Sequence, residues 1–506
     1  MEHVDVVVVG AGISGISAGY HLSRLCPDRT FAILEGRHDL GGTWDLFRYP
    51  GVRSDSDMHT LGFSFKPWVH EKSIADGPSI MVYLRETVDE FGLGPRIRYG
   101  HRVTAAAWSS EQAIWTLTVQ RAGDAGPMTL TCGFLLMCAG YYSYRHGHDP
   151  HFEGRERFRG RIVHPQAWPE DLDWTGRRVV VVGSGATAMT IVPAMARTAA
   201  HVTMVQRSPT YVVARPDVDR VANALGRVLP RRWAYAITRW KNTVMQQIVY
   251  RRSRTHPDQL RQQLIDGVKK AVGPDVDVER HFTPSYNPWD QRLCLLPDGD
   301  LFAALREGRV SVITDRIEGF TDTGLQLASG QHVDADIVVT ATGLEVVSLG
   351  EVALSVDGRP VRLSDTWTYK GVAYSDVPNL VSVFGYINAS WTLRADLVNE
   401  FACRVLNHLW ATGTDQVTPR LRPGDAHMEV RPWITGFSAG YLQRIMGDLP
   451  RQGDREPWLN PQLLAADRRL IARAPIDDGV LEFRRAPSGR PVGAPAPLPA
   501  AGTPKP

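Results

Sequence analysis

The chain has 506 residues, which is too long for one ordinary hydrophobic core and predicts two or three domains. Hydrophobic residues make up 43% and charged residues 22%, an ordinary globular balance, and a net charge of +3 gives no reason to expect nucleic-acid binding. The N-terminus does not resemble a signal peptide and no run of 18 apolar residues occurs, so we expect a cytoplasmic protein. The five cysteines form no CxxC pair, which argues against a disulfide framework or a metal site.

Two βαβ units are visible in the pattern of hydrophobic residues. Residues 5–10 are a short β-branched run that ends in glycine, residues 13–25 follow a helical periodicity, and residues 31–35 return to a strand pattern. The same order of strand, glycine turn, helix and strand recurs at 178–207. Two such units predict an α/β fold with two Rossmann-like dinucleotide-binding domains.

The first unit carries a dinucleotide fingerprint, Gly10-Ala-Gly12-Ile-Ser-Gly15. Gly10 permits the tight turn, Gly12 lets the backbone approach a pyrophosphate, and Gly15 lets the helix pack closely on the strand. Glu35 ends the second strand, where a carboxylate accepts hydrogen bonds from a ribose diol. A glycine turn without a ligand is the alternative, but this context favours a nucleotide, and we assign FAD to this unit.

The second unit carries Gly183-Ser-Gly185-Ala-Thr-Ala188, with alanine in the third place. Its second strand is followed by Arg207 and Ser208 and by no acidic residue. A carboxylate there would repel a 2′-phosphate, whereas an arginine can bind it with two charge-assisted hydrogen bonds. We therefore expect NADPH here, with hydride passing from NADPH to FAD; an ordinary surface arginine is the alternative.

Residues 216–285 lack strand patterns and predict a helical insert. From Arg220 to Arg254 there are nine Arg or Lys residues and no acidic residue, with Trp233 and Trp240 between them. One interpretation is a helix that lies on a membrane surface, which would make a membrane a peripheral partner. The other is a helix with a solvated basic face.

Two longer motifs lie between the fingerprints. Residues 158–169 match the pattern FxGxxxHxxxW[P/D], and residues 41–55 match [A/G]GxWxxxx[F/Y]P[G/M]xxxD. Both patterns are signatures of type I Baeyer–Villiger monooxygenases, and nearly the whole chain resembles this family within the flavin-containing monooxygenase superfamily. Two further segments, 281–294 and 385–394, resemble a mycobacterial branch of the family.

The resemblance implies catalytic roles for two residues. Arg292 takes the place of the family's arginine over the flavin, where a positioned charge stabilises negative charge during oxygen transfer. Asp55 takes the place of the aspartate that orients this arginine. Gln291 stands where many members have a lysine for the 2′-phosphate, which leaves Arg207 as the main phosphate anchor.

The resemblance also implies contacts to FAD and a structural linker. Gly42, Thr43 and Trp44 are expected beside FAD, together with Asp55. His164 and Trp168 lie between the two nucleotide domains, and we expect them to position these domains rather than to act as acid or base.

The expected architecture has an FAD domain at 1–145 and 345–506, an NADPH domain at 152–215 and 286–343, and the insert at 216–285. Within the first of these, residues 486–506 are rich in proline and are predicted to form a disordered tail. The substrate pocket is expected at the junction of the nucleotide domains, where clefts commonly form.

The resemblance implies that O2 adds to C4a of the reduced flavin and that the peroxyflavin attacks a ketone, which gives an ester or lactone. The alternative is oxygenation of sulfur or nitrogen, for example in a thioether. A disulfide reductase is disfavoured because no CxxC pair is present. A flavin-binding module without enzymatic activity is disfavoured by the presence of Arg292.

Overall fold

The computed structural model describes residues 1–124 and 126–488, which form a mixed α/β structure. In chain order the strands are β1 (Glu2–Val9), β2 (Phe31–Leu34), β3 (Ile97–Arg98), β4 (His101–Ser109), β5 (Ile114–Arg121), β6 (Met128–Met137), β7 (Tyr142–Gly147), β8 (Arg161–Val163), β9 (Arg178–Val182), β10 (His201–Gln206), β11 (Val212–Arg215), β12 (Cys294–Pro297), β13 (Val310–Thr314), β14 (Ile317–Phe320), β15 (Gly324–Leu327), β16 (His332–Asp334), β17 (Ile337–Thr340), β18 (Leu344–Val346), β19 (Ala353–Val356), β20 (Arg359–Pro360), β21 (Thr368–Tyr369), β22 (Ala373–Tyr374), β23 (Leu380–Ser382), β24 (Gln416–Pro419), β25 (Arg431–Pro432), β26 (Arg451–Gln452) and β27 (Leu481–Arg484).

The α-helices are α1 (Ile13–Leu25), α2 (Thr43–Leu46), α3 (Met58–Leu61), α4 (Gly77–Glu90), α5 (Ala186–Met195), α6 (Arg220–Val228), α7 (Arg231–Thr255), α8 (Pro257–Val272), α9 (Val278–Phe282), α10 (Asp300–Arg306), α11 (Thr392–Thr412), α12 (Gly440–Gln443) and α13 (Leu464–Asp467).

The first sheet has the strand order β20-β19-β4-β5-β6-β1-β2-β3, with β23 also paired to β6. Strand β1 is parallel to both β2 and β6, whereas β4, β5 and β6 form an antiparallel meander. All four residues of β2 are buried, as expected for a strand covered on both faces. The parallel strands β1, β2 and β6 therefore end at one common edge.

The first sheet combines two distant parts of the chain. Strands β19, β20 and β23 join β4 and β6 from the C-terminal half. Helix α11 also returns to the N-terminal helix α1, where Asn399 Nδ2 donates to Ser17 Oγ at 2.9 Å and Ser17 Oγ donates to Asp396 at 2.9 Å. These buried hydrogen bonds fix α1 against α11.

The second sheet has five parallel strands in the order β13-β10-β9-β17-β8. The valines of β9 alternate between its two faces, as the two-residue period of a strand requires. Val179 and Val181 pack towards α5, whereas Val180 and Val182 pack towards the antiparallel strands β14–β16. Both faces of this sheet are therefore covered.

The fold predicted from the sequence is confirmed. Helix α1 has the predicted bounds, both βαβ units are present, and residues 216–285 contain the helices α6–α9. The assignment of the two halves to FAD and NADPH stays a prediction at this stage. Among the described residues, no helix has the length and hydropathy needed to cross a bilayer.

The predicted boundary of the tail needs a correction. Ala486 is buried and donates its backbone N–H to Asp415, and Ser488 Oγ donates to the carbonyl of Glu111. The packed part of the chain therefore continues past 486. The proline content placed its end too early, because it does not indicate these hydrogen bonds. Residues 489–506, the rest of the predicted tail, lie outside the described residues.

Candidate active site

A cavity of about 450 Å³ lies between the first sheet and helix α5 of the second. Its wall contains residues that follow β1, β2 and β6 on one side, and Ala186, Thr187 and Thr190 of α5 on the other. Ligands bind at this edge of parallel α/β sheets, outside the carboxyl ends of the strands. The cavity lies where the sequence predicts the junction of the nucleotide domains.

The turn after β1 requires glycine for steric reasons. Gly10 has a φ of +100°, and a Cβ there would lie 2.7 Å from the carbonyl oxygen of Cys138. A Cβ at Gly15 would lie 1.8 Å from the carbonyl oxygen of Gly10, so α1 packs directly on the turn. Gly12 is the N-cap of this 13-residue helix and lines the cavity. The helix N-terminus therefore offers backbone N–H groups that suit an anion such as a pyrophosphate.

Glu35 follows β2 and is only 4% exposed. One carboxylate oxygen accepts the backbone N–H of Ala11 at 2.7 Å, and the other accepts the N–H of Arg37 at 2.8 Å. Burial raises the pKa of Glu35, and these two backbone donors oppose the rise. Glu35 thus holds the fingerprint turn in place, and its oxygens retain acceptor capacity for the ribose that the sequence predicts.

The glycine–tryptophan signature folds against the first fingerprint. Gly42 has a φ of +57°, and a Cβ there would lie 3.2 Å from the Cα of Gly12. Thr43 and Trp44 begin the short helix α2, and both line the cavity. The close approach of Gly12 and Gly42 places the fingerprint and the glycine–tryptophan signature in one wall of the cavity.

The second fingerprint begins at the end of β9. Gly183 has a φ of +129°, and a Cβ there would lie 2.3 Å from the carbonyl oxygen of Ala341. Gly185 is the N-cap of α5, and a Cβ at Gly185 would meet open space. Ala188 is buried in α5. The N-terminus of α5 is therefore accessible to a ligand.

The loop after β10 lies beside this fingerprint. Ser184 Oγ donates to the carbonyl oxygen of Ser208 at 2.9 Å. Arg207 is exposed and forms no ion pair with any residue that the structure describes. Its loop thus lies next to the N-terminus of α5, where the sequence predicts the 2′-phosphate.

Arg292 is held at the cavity wall by residues from separate parts of the chain. Its guanidinium lies 3.7 Å from the carboxylate of Asp55 and donates to the Tyr141 hydroxyl at 3.4 Å. That hydroxyl also forms a 2.7 Å hydrogen bond with the hydroxyl of Tyr142. The neighbours Tyr441, Tyr141 and Asp55 raise the pKa of Arg292 above its ordinary range, against the opposing effect of burial. The guanidinium is therefore a permanent positive charge at the cavity.

Several aromatic residues near Arg292 are not predicted by the sequence. Tyr141 stacks on Trp391, with ring centroids 5.3 Å apart, and Trp391 Nε1 donates to Ser14 Oγ at 2.7 Å. The hydroxyl of Tyr441 is buried and has no hydrogen-bond partner among the described residues. Tyr141 follows the small residues 138–140 at the end of β6, which is a signal that could have identified it.

The predicted linker residues lie away from the cavity. His164 Nε2 is 3.2 Å from the carbonyl oxygen of Gly343, and its Nδ1 accepts the N–H of Gln166 at 3.2 Å. Trp168 packs against the core of the second sheet. Because His164 joins the chain before β9 to the chain after β17, its contacts are compatible with the predicted positioning role, which stays a prediction.

The predicted site residues fall into two groups. Those that line the cavity are Gly10, Gly12, Glu35, Gly42, Thr43, Trp44, Asp55 and Arg292. Those outside the described cavity wall are Gly15, Gly183, Gly185, Ala188, Arg207, Ser208 and Gln291. Among the described residues, no group of His, Cys, Asp and Glu side chains could hold a metal ion.

Two dinucleotide folds that border one cavity, with an arginine in its wall, define a flavoprotein that works with a pyridine nucleotide. Residues 3–256 match the family described as flavin-binding monooxygenase-like, and the chain belongs to this family. It is 50% identical over 493 residues to the FAD-containing monooxygenase EthA of Mycobacterium tuberculosis, which covers 97% of this chain and 99% of the relative. It is 49% identical over 485 residues to EthA of Mycolicibacterium smegmatis, with 96% and 98% covered.

Solved structures share the fold. A steroid monooxygenase bound to NADP superposes with a TM-score of 0.76 at 23% identity, covering 96% of this chain and all of that chain. A cyclohexanone monooxygenase superposes with a TM-score of 0.72 at 21% identity, with the same coverage. The predicted family resemblance and the prediction of a flavoprotein monooxygenase are confirmed. FAD and NADP are both bound in a further solved relative of the same fold, the OTEMO complex, in agreement with the predicted cofactors.

Proposed function

We propose that this flavoprotein monooxygenase uses NADPH and O2 to insert one oxygen atom next to a ketone carbonyl, which gives an ester or a lactone. The observation that carries the proposal is Arg292, a permanent positive charge at the cavity, with Asp55 at 3.7 Å and Tyr141 at 3.4 Å. Oxygen insertion beside a carbonyl develops negative charge on oxygen. A preorganised guanidinium stabilises such charge without reorganising during the reaction.

The cavity fits the cofactors of the class. The N-terminus of α1, Glu35 and the Gly42–Trp44 segment would hold FAD, because they offer backbone donors, a carboxylate and a close glycine approach in one wall. The N-terminus of α5 and Arg207 would hold NADPH. When bound, these cofactors supply the reduced flavin that activates O2. The protein's own part is to orient them, to place the charge of Arg292 and to keep water from the reacting atoms.

A second candidate reaction is oxygenation of a thioether or amine. The observation that favours it is the aromatic part of the cavity wall, where Trp44, Tyr141 and Trp391 offer apolar surface to a substrate without a carbonyl. Both reactions therefore fit one cavity, and their products distinguish them.

A paired product assay tests the proposal. The flavin-loaded enzyme is incubated with NADPH and labelled O2, together with a cyclic ketone or the cyclic thioether of the same ring size. The proposal expects a lactone that carries one labelled oxygen atom, as determined by mass spectrometry. A sulfoxide without lactone would favour the second candidate, and NADPH oxidation without any oxygenated product would contradict both.

A further inference from the structure

Helix α7 exposes a stripe of large apolar side chains along one side. Trp233 and Trp240 are each 67% exposed, Ile237 is 41% exposed and Ile248 is 55% exposed. Their spacing of four, three and eight residues places them on one face of the helix. Large apolar side chains that form a contiguous exposed patch mark a contact surface.

The opposite face of α7 is fixed to the protein by hydrogen bonds. Tyr235 donates its hydroxyl to the carbonyl of Phe63 at 2.8 Å, and Arg239 Nη1 donates to the carbonyl of Gly62 at 2.7 Å. Asn242 Nδ2 donates to Asp57 at 3.0 Å. Tyr235, Arg239 and Asn242 follow the same helical spacing on the other side. The apolar stripe therefore cannot turn inward without breaking these contacts.

Positive charges lie on the helix that carries the stripe and on the helix before it. No acidic residue occurs between 220 and 254. The following arginines are exposed and form no ion pair with any described residue: Arg220, Arg227, Arg231, Arg232, Arg251 and Arg252. The surface thus combines apolar side chains with unneutralised cations. We name it the outer face of α7, defined by Trp233, Ile237, Trp240 and Ile248 together with Arg251 and Arg252 of the same helix; Arg220 and Arg227 belong to the preceding helix α6.

We propose that the outer face of α7 binds the surface of an anionic phospholipid bilayer. Tryptophan is enriched at the interface of bilayers, where its apolar ring and its N–H both find partners. Amphipathic helices with cations beside an apolar face lie in this interface, and the cations attract anionic headgroups. A second copy of the chain is a poor occupant, because two such faces would bring unpaired arginines together.

The position of α7 connects this face to the cavity. Its anchored side bonds to Asp57 and Gly62, and the neighbouring residues Asp55, Ser56 and Leu61 line the cavity. Binding to a bilayer would therefore bring the cavity close to molecules dissolved in lipid. This consequence for substrate supply rests on the proposed function, whereas membrane binding itself does not.

Co-sedimentation of the full-length, flavin-loaded protein with vesicles tests the proposal. We expect binding to vesicles of phosphatidylglycerol mixed with phosphatidylcholine, little binding to phosphatidylcholine alone, and weaker binding as salt increases. Two double variants should each lower the vesicle partition coefficient by roughly tenfold or more: Trp233→Ser/Trp240→Ser and Arg251→Gln/Arg252→Gln. Trp410→Ser is the matched control and should leave vesicle binding unchanged, because Trp410 is 47% exposed but lies on helix α11 and not on α7.

Flavin absorbance and melting temperature verify that each variant is folded. Equal vesicle binding of the wild type and both double variants would overturn the proposal, and so would the absence of wild-type binding. Self-association that disappears in Trp233→Ser/Trp240→Ser while vesicle binding stays unchanged would instead assign the face to a contact between copies. Because vesicle binding requires no turnover, these results are independent of which substrate the enzyme oxygenates.

Discussion

The carboxylate of Asp55 lies 3.7 Å from the guanidinium of Arg292, although the two residues come from different parts of the chain. Asp55 ends the glycine–tryptophan signature, whereas Arg292 precedes β12. Their side chains are 47% and 30% exposed, so this ion pair contributes little to the free energy of unfolding. We propose that it sets the direction in which the guanidinium points at the cavity.

Replacing Arg292 should separate cofactor reduction from oxygen transfer. We expect Arg292→Ala to retain FAD and to oxidise NADPH, while oxygenated product falls roughly 100-fold or more and O2 returns as hydrogen peroxide. One preorganised charge is commonly worth about 3–4 kcal/mol in a transition state. Stopped-flow measurement of flavin reduction, with peroxide and product quantified in parallel, checks this. An unchanged product yield would remove the proposed role of Arg292.

Replacing Asp55 should give the same pattern in a milder form. If Asp55 orients Arg292 as proposed, its half-exposed side chain sets the size of the effect. We expect Asp55→Asn to lower the yield of product per NADPH by roughly twofold to fivefold, the range for an exposed ion pair. The KM for NADPH should not change. Asp55→Glu should restore part of the yield, and an equal loss in Asp55→Glu and Asp55→Asn would argue against a role of the carboxylate charge.

The hydroxyl of Tyr141 should also support Arg292. Burial raises the pKa of Tyr141 to about 12, so the hydroxyl stays protonated throughout the neutral pH range. Tyr141→Phe removes the hydrogen bonds to Arg292 and Tyr142 but keeps the ring that stacks on Trp391. We expect the product yield to fall by roughly twofold to tenfold, equivalent to about 0.5–1.5 kcal/mol, with no pH dependence near neutrality. Tyr20→Phe is the control, because Tyr20 stacks on Phe65 outside the cavity wall.

The first fingerprint should be required for FAD. Gly12→Asp places a side chain and a negative charge at the N-cap of α1, where a pyrophosphate would lie. We expect a folded protein without flavin absorbance. Gly267→Asp is the control, because a Cβ at Gly267 in α8 meets open space. Full flavin content in folded Gly12→Asp would contradict the assignment of FAD to this turn.

Arg207 should discriminate between the two nicotinamide cofactors. Arg207→Ala should raise the KM for NADPH by about 10- to 150-fold, because a lost charge-assisted contact costs roughly 1.5–3 kcal/mol. The KM for NADH should stay nearly unchanged. Arg197→Ala is the control, because Arg197 is also exposed but follows the far end of α5. Equal changes for both cofactors would mean that Arg207 does not contact the 2′-phosphate.

The sequence by itself determined the two βαβ units and their glycine turns. The strand, turn and helix are close in the chain, and glycine at positions 10 and 183 permits the positive φ values of +100° and +129° that these turns adopt. The helical insert was also predictable, because a long segment without strand patterns leaves helix as the regular alternative. The family resemblance added Arg292 and Asp55, which composition and periodicity alone do not distinguish from surface residues.

Only the tertiary structure decided what surrounds Arg292 and which face of α7 is free. Trp391 and Tyr441 reach the site from the C-terminal third of the chain, and no local pattern specifies a contact over such a separation. The periodicity of α7 predicts two faces, but the hydrogen bonds to Asp57 and Gly62 determine which of them is anchored. The physical reason is the same in both cases: long-range contacts depend on how whole elements pack, whereas the sequence pattern fixes only the elements themselves.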